Sequence, residues 1–109
     1  MPTILVVDDD TLVLRTLQKA LKIKGYEVDT ADSGVKAIEM ASNKNYETIL
    51  SDLCMPKMDG IETMVKIPGN TRKLYMTGYS KKYEDSGIKF LAKPFGIDEL
   101  IRFISHEQN

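Results

Sequence analysis

The chain has little cysteine and histidine and no tryptophan: its 109 residues include one Cys, one His and no Trp. The single cysteine, Cys54, cannot form an internal disulfide, and so few Cys and His residues exclude the ligand cluster of a zinc site. The apolar run after Met1-Pro2-Thr3 is four residues long, too short for a signal peptide or a transmembrane helix. These absences predict a protein of the reducing cytoplasm that does not enter a membrane.

The chain also lacks an excess of charge of either sign. It has 15 basic and 16 acidic residues, a net charge of -1, and no long run of one sign. A nucleic-acid groove or a membrane-binding face is therefore not indicated. With 42% hydrophobic and 28% charged residues, a chain of this length supports one core, so we expect a single domain over residues 1–109.

Short apolar runs alternate with amphipathic or polar segments along the whole chain. The runs predict strands at residues 4–7, 26–30, 47–51, 73–76 and 88–92. Between them, Thr11 is the expected cap of a first helix that stops at Gly25, and Ser33 opens a second helix with Val35, Ile38 and Ala41 inward. A short third helix and a final helix follow, whereas residues 78–87 have no apolar stripe and give only a short or degenerate fourth helix.

Alternation of strand and helix predicts an α/β fold, a parallel sheet with helices on both faces. In such sheets the functional site lies at the carboxyl ends of the strands. Five polar residues stand at or just beyond the ends of four predicted strands: Asp8, Asp9, Asp52, Thr77 and Lys93. The fold therefore brings them to one edge.

These residue types together favour phosphoryl transfer. Carboxylates crowded at one mouth repel one another unless a cation neutralises them, and oxygen ligands with room for water suit Mg²⁺ (or Mn²⁺). Asp52, delivered by an apolar run to the point where Pro56 and Gly60 bend the chain, can attack phosphorus and form an acyl phosphate. Lys93 and Thr77 would stabilise the charge on the phosphoryl oxygens.

Four blocks of sequence carry these residues: Val-Val-Asp-Asp-Asp at 6–10, Ser-Asp-Leu-Cys-Met-Pro-Lys-Met-Asp-Gly at 51–60, Met-Thr-Gly at 76–78 and Phe-Leu-Ala-Lys-Pro-Phe at 90–95. In this order they resemble the blocks of response-regulator receiver domains of bacterial-type two-component signalling. The resemblance covers essentially the whole chain. The segments 75–79 and 90–95 are most similar to receivers of hybrid sensor histidine kinases.

The resemblance implies a five-stranded flavodoxin-like sheet of order 2-1-3-4-5 and a role for each site residue. Asp52 would be the phosphoacceptor, and Mg²⁺ would be held by Asp8, Asp9, Asp52 and the backbone carbonyl of Cys54. Thr77 and Lys93 would contact the phosphoryl group.

Two further positions matter for signalling and for the backbone. Phe90, which could equally be plain core, matches the aromatic residue that moves together with Thr77 on switching. The Lys93–Pro94 peptide bond is expected to be cis.

The resemblance also implies partners. The phosphoryl group would come from a histidine kinase or a histidine phosphotransfer domain, and the domain would be monomeric or fused to a sensor kinase. It would catalyse only its own phosphorylation and dephosphorylation, and so would not be an enzyme in the usual sense. The short segment 78–87 departs from the family, which indicates a remodelled output surface.

Two alternatives remain open from the sequence. The segment 7–12 also matches the Asp-x-Asp-x-Thr-Leu opening of haloacid-dehalogenase-type phosphatases, with Asp8 as nucleophile and Asp10 as acid/base. That class needs an acidic motif on a strand after the lysine, whereas Asp98 and Glu99 lie at a helix start, and it leaves Asp52 without a role. The second alternative is a pseudo-receiver that is never phosphorylated, although all five site positions are present.

Overall fold

A computed structural model describes residues 2–106 of the chain. Strands and helices alternate along the described part, in the order β1 Thr3–Val7, α1 Thr11–Ile23, β2 Glu27–Ala31, α2 Gly34–Asn43, β3 Thr48–Asp52, α3 Gly60–Val65, β4 Arg72–Thr77, α4 Ser80–Tyr83, β5 Phe90–Ala92 and α5 Ile97–His106. All five predicted strands are present, with bounds that differ by at most two residues from the sequence prediction.

The strands form one sheet of order β2-β1-β3-β4-β5, and every neighbouring pair is parallel. This confirms the predicted α/β fold and its strand order. The register places Val7 opposite Ser51, and Asp52 opposite Met76. The carboxyl ends of β1, β3 and β4 therefore meet at one edge of the sheet.

The sheet separates two apolar cores because successive side chains of a strand point to opposite faces. On β1, Ile4 and Val6 pack with the apolar residues of α1 and α5, while Leu5 and Val7 pack with those of α2 and α3. Both faces of the sheet are thus covered, which explains why the central strands read as continuous apolar runs. The double cover buries the ends of β1 and β3.

The helix starts are capped by side chains, though one cap is not the predicted residue. Thr11 is the first residue of α1, and the cap is Asp10, whose Oδ1 accepts hydrogen bonds from the backbone N–H groups of Leu12 (2.9 Å) and Val13 (3.4 Å). The prediction of Thr11 was wrong because Asp and Thr are both good caps and neighbouring positions compete. Ser33 caps α2 as predicted.

The buried face of α2 also differs from the prediction. Val35 was expected to point inward but is 63% exposed, while Gly34 and Ala37 are buried. The cause is close packing of α2 on α3: a Cβ atom on Gly34 would lie 2.2 Å from Thr63 Oγ1. Only a residue without a side chain fits there, and this contact sets the rotation of the helix.

The fourth helix is short, as predicted. It comprises the four residues Ser80–Tyr83, and none of them is fully buried. No helix within residues 2–106 combines the length and the apolar character needed to cross a lipid bilayer.

Candidate functional site

The buried strand β1 delivers two carboxylates to the carboxyl edge of the sheet. Asp8 is 1% exposed, and its backbone N–H donates to the carbonyl of Ala31 on β2 (3.1 Å). Its Oδ1 accepts a hydrogen bond from the backbone N–H of Asp10 (2.9 Å). Asp9 is exposed at the rim. One carboxylate is thus fixed inside the site and one stands at its entrance.

Asp52 is the last residue of β3 and is 7% exposed. Its Oδ1 accepts a hydrogen bond from the backbone N–H of Cys54 (3.1 Å). The following loop is tied down by backbone hydrogen bonds from Leu53 N–H to the carbonyl of Met76 (2.9 Å) and from Gly60 N–H to the carbonyl of Leu53 (3.0 Å). The carboxylate is therefore held by the loop that the sequence marks with Pro56 and Gly60.

Gly60 packs directly on the backbone of the site. A Cβ atom there would lie 2.2 Å from the carbonyl oxygen of Asp52, a backbone atom that cannot rotate away. Gly60→Ala is expected to lower the free energy of unfolding by about 2 kcal/mol, the usual cost of overpacking, or about 10 °C in melting midpoint. Thermal or denaturant unfolding followed by circular dichroism measures the change.

Gly96→Ala is the matched control, because a Cβ atom on Gly96 would meet nothing within 4 Å. It should leave the melting midpoint within the experimental error of the parent chain. Equal midpoints for the two alanine variants would show that the backbone at Asp52 is not tightly packed against Gly60.

Lys93 connects the two buried carboxylates. It follows β5, and its Nζ donates to Asp8 Oδ2 (2.6 Å) and to Asp52 Oδ2 (3.0 Å). Its backbone N–H donates to the carbonyl of Thr77 (2.8 Å), and the Lys93–Pro94 peptide bond is cis. Three separate strands thus supply one cation and two anions in direct contact.

Burial and neighbouring charges have opposing effects on the pKa values of Asp52 and Lys93. Burial raises the pKa of Asp52, and the nearby Asp8 raises it further, while the Cys54 N–H and Lys93 oppose the shift. Burial on its own would lower the pKa of Lys93, but the hydrogen bonds to Asp8 and Asp52 outweigh it and the pKa is raised. The lysine stays charged, and its ammonium does not fully offset the effect of burial on the pKa of Asp52.

Thr77 ends β4 at the same edge of the sheet, and Phe90 begins β5. Thr77, fully buried at the end of β4, accepts a hydrogen bond on Oγ1 from the backbone N–H of Tyr79 (3.0 Å). Phe90 opens β5 and is half-buried, opposite Tyr75 on β4. Its ring packs edge-on against Tyr83 of α4, with 6.5 Å between centroids and an interplanar angle of 66°.

Three carboxylates at the edge of the sheet can hold a divalent cation. Asp8, Asp9 and Asp52 can each offer one oxygen, and these oxygens lie within 4.8 Å of one another. With Lys93 as the cation in contact, three carboxylates and one ammonium leave two negative charges to be balanced. Oxygen-only donors, two of them buried and one exposed, fit the preferences of Mg²⁺.

Sequence reasoning missed one contact of the site. Tyr83 lies in the polar segment 78–87, yet its hydroxyl is 3.3 Å from Cys54 Sγ, two residues beyond Asp52. Nothing in the sequence pattern signals this contact, because Tyr83 belongs to no apolar stripe and is 29 residues from Cys54.

The geometry fits a phosphoacceptor site on a doubly wound α/β fold, and comparison with known proteins supports that class. The model of the response regulator receiver domain family matches residues 4–105. This chain belongs to that family: it is a receiver domain, the phosphoacceptor module of two-component signalling.

Relatives of known identity support the assignment. The response regulator MprA of Mycobacterium tuberculosis is 34% identical over 107 residues, covering 90% of this chain and 46% of MprA. The chain thus spans about half the length of such relatives.

Solved structures show the same fold. The response regulator TrrA of Thermotoga maritima, in complex with Mg²⁺-BeF, has a TM-score of 0.87 and 30% identity over 98% of this chain and 99% of that chain. The receiver domain of the hybrid histidine kinase CckA has a TM-score of 0.84 and 28% identity over 98% and 99% of the two chains. The predicted resemblance to receiver domains is thus confirmed, and a receiver of a hybrid histidine kinase is among the structures with this fold.

The phosphatase alternative is not supported. The family match assigns residues 4–105 to receivers, and the side chain of Asp10 is engaged in capping α1, through its Oδ1, at an exposed position. A general acid or base must lie within hydrogen-bonding reach of the reacting group. The Asp10 carboxylate accepts hydrogen bonds from the start of α1 and is poorly placed for that role.

Proposed function

We propose that Asp52 accepts a phosphoryl group from a phosphohistidine and holds it as an acyl phosphate. The observation that carries this proposal is the contact of Lys93 Nζ with both Asp8 and Asp52 at the joined carboxyl ends of the strands. A carboxylate oxygen of Asp52 forms the new bond to phosphorus while the phosphorus–nitrogen bond breaks, and the imidazole leaves with a proton. In this role the domain would catalyse only its own phosphorylation and dephosphorylation.

The acidic residues of the site would bind a divalent metal ion. Asp8, Asp9, Asp52 and the backbone carbonyl of Cys54 would hold Mg²⁺ or Mn²⁺. When bound, the ion would offset negative charge on the carboxylates and on the phosphoryl oxygens. TrrA, a relative of the same fold, was crystallised with Mg²⁺-BeF. The oxygen separation of at most 4.8 Å within Asp8, Asp9 and Asp52 supports the same assignment here.

Lys93 and Thr77 would contact the phosphoryl oxygens. On phosphorylation, Lys93 would exchange its bond with Asp52 Oδ2 for one with the phosphoryl group while keeping Asp8 Oδ2. The buried hydroxyl of Thr77 would give up the hydrogen bond that it accepts from the Tyr79 N–H and would donate to a phosphoryl oxygen. Phe90 would respond to that movement. Phe90 is half-buried, and its ring contacts Tyr83 of α4.

The phosphoryl donor would be a histidine kinase or a histidine phosphotransfer domain. A mostly apolar cleft of about 460 Å³ lies beside Lys93 and is lined in part by Leu12, Val13, Pro94 and Phe95. Leu12 is 70% exposed there. Such a surface next to the reacting carboxylate suits a helical partner that brings its histidine to Asp52.

We place the domain in the cytoplasm, where the thiol of Cys54 stays reduced, and treat it as monomeric or fused to a sensor kinase.

Removal of the metal tests the proposal. The chain is incubated with phosphoramidate, whose phosphorus–nitrogen bond matches that of phosphohistidine, with Mg²⁺ or with excess EDTA. The expected result is a base-labile phosphoryl adduct by mass spectrometry with Mg²⁺, formed at least about tenfold more slowly in EDTA because the carboxylates then repel the incoming phosphate. Equal rates in the two arms would refute the metal assignment, and no adduct in either arm would refute the phosphoacceptor role.

A further inference from the structure

A second cleft, about 320 Å³ in volume, lies between α1, the end of β2 and the start of α2. Its α1 wall follows from helix geometry, because residues four and seven positions apart lie on one face of a helix. Thr11, Arg15 and Gln18 have that spacing, and all three line the cleft. This face of α1 therefore presents a hydroxyl, a guanidinium group and an amide to the cleft.

The other wall comes from β2 and α2. Thr30 lies on the same face of β2 as Val28, which packs with α1 residues in the core, because alternate side chains of a strand share a face. Asp32 follows the strand, and Lys36 lies in the first turn of α2. The two walls together supply two positive groups and one carboxylate.

The frame of the cleft does not depend on the side chains that line it. The backbone N–H of Asp8 donates to the carbonyl of Ala31 at the end of β2 (3.1 Å). Ser33 Oγ accepts a hydrogen bond from the backbone N–H of Lys36 (3.1 Å) and caps α2, while Asp10 caps α1. Substitution of the charged side chains of the cleft should therefore leave the fold intact.

The charged groups of the cleft do not pair with one another. Arg15, Asp32 and Lys36 are exposed, and no ion pair or hydrogen bond engages their side chains within residues 2–106. Gln18 makes one long hydrogen bond, from Nε2 to the carbonyl of Val28 (3.5 Å). Two positive charges and one negative charge give the lining a net charge of +1. A ligand that bridges these groups would satisfy donors and an acceptor that the fold leaves unused.

We propose that this cleft binds a small amino acid that carries two anionic groups. Arg15 and Lys36 each donate to one anionic group, and Asp32 accepts from the ligand's ammonium group. With two carboxylates, as in glutamate, the ligand has a net charge of −1, which complements the lining. The cleft volume is within the range of small-molecule sites. This binding does not depend on phosphorylation of Asp52.

Titration of the isotopically labelled chain with L-glutamate, followed by heteronuclear NMR, tests the proposal. The titration is done without Mg²⁺ and at constant ionic strength. The amide signals of Thr30, Asp32 and Lys36 should shift with a dissociation constant of about 1 mM, because exposed ion pairs are individually weak. Glutarate has the two carboxylates but no ammonium group, and should bind about fivefold more weakly. A parallel titration with O-phosphoserine distinguishes a phosphate from a second carboxylate as the preferred anionic group.

Three variants separate the parts of the cleft. Arg15→Gln removes one cation and should weaken glutamate binding about fivefold. Asp32→Asn removes the acceptor for the ammonium group and a charge that repels glutarate, so the preference for glutamate over glutarate should disappear or reverse. Arg102→Gln is the matched control, because Arg102 is exposed on α5, outside the cleft, and should bind glutamate as the parent chain does.

Each outcome decides the proposal. Saturable shifts at the cleft that depend on Arg15 and Asp32 support it, and the ranking of O-phosphoserine against glutamate then identifies the anionic group. The absence of saturable shifts with glutamate and with O-phosphoserine overturns it. Equal affinity for glutamate and glutarate, or equal weakening in Arg15→Gln and Arg102→Gln, shows a non-specific attraction of anions and also overturns it.

Discussion

Asp52→Asn is expected to abolish phosphorylation of the chain by phosphoramidate and Mg²⁺. An amide is a poor nucleophile toward phosphorus, and the substitution also removes a negative oxygen from the metal site. Because Asn has the shape of Asp and can still accept the hydrogen bond from Cys54 N–H, the loop geometry is preserved. The rate of adduct formation should fall by at least about a thousandfold, the order found when a catalytic group is removed outright. Mass spectrometry of the intact chain gives the rate.

Asp10→Asn is the matched control for this substitution. Asp10 caps α1 through Oδ1, a function that Asn performs equally well. The phosphatase alternative makes Asp10 an acid/base, whereas the receiver assignment gives it only the cap. We expect unchanged phosphorylation. Loss of the adduct in Asp10→Asn together with its survival in Asp52→Asn would reverse the assignment.

Lys93→Met is expected to slow phosphorylation about a hundredfold, because the ammonium that stabilises charge on the transferred group is lost while the aliphatic stem remains. The same substitution is also expected to destabilise the chain. Lys93 Nζ is the cation shared by Asp8 and Asp52, and its removal leaves two buried carboxylates facing one another. The chain should therefore also melt at a lower temperature without Mg²⁺, and added Mg²⁺ should restore more stability than in the parent chain.

Lys19→Met is the control for loss of one positive charge, since Lys19 lies exposed on α1. It should phosphorylate at the parent rate. If both lysine variants react at that rate, Lys93 serves only as a structural ion-pair partner, and the contribution of its charge to phosphoryl transfer is refuted.

The strand ends explain why so much of this site was predictable from sequence. A short apolar run that ends in a polar residue identifies a buried parallel strand, and parallel strands place such residues together whatever the loops do. Asp8, Asp9, Asp52 and Lys93 were found in this way, and the structure brings all four together. Thr77 lies at the same edge, although its hydroxyl oxygen accepts a hydrogen bond from the Tyr79 N–H and does not contact the carboxylates' lysine partner through that bond.

The details that were missed depend on contacts between elements. The rotation of α2 follows from the fit of Gly34 against Thr63, a long-range contact that periodicity does not contain. The choice of Asp10 over Thr11 as a cap depends on backbone angles rather than on residue type. Tyr83 reaches Cys54 only because the shortened α4 brings it there. Pattern reasoning locates the ends of strands, while side-chain packing decides which neighbours meet.

We propose that Asp52, and no other carboxylate of the cluster, carries the phosphoryl group. The most direct measurement is localisation of the group on the unsubstituted chain. After reaction with phosphoramidate and Mg²⁺, borohydride reduces an aspartyl phosphate to homoserine, and tandem mass spectrometry of the peptides identifies the position. We expect homoserine at position 52 alone. Homoserine at position 8 would contradict it and return the chain to a phosphatase-like chemistry.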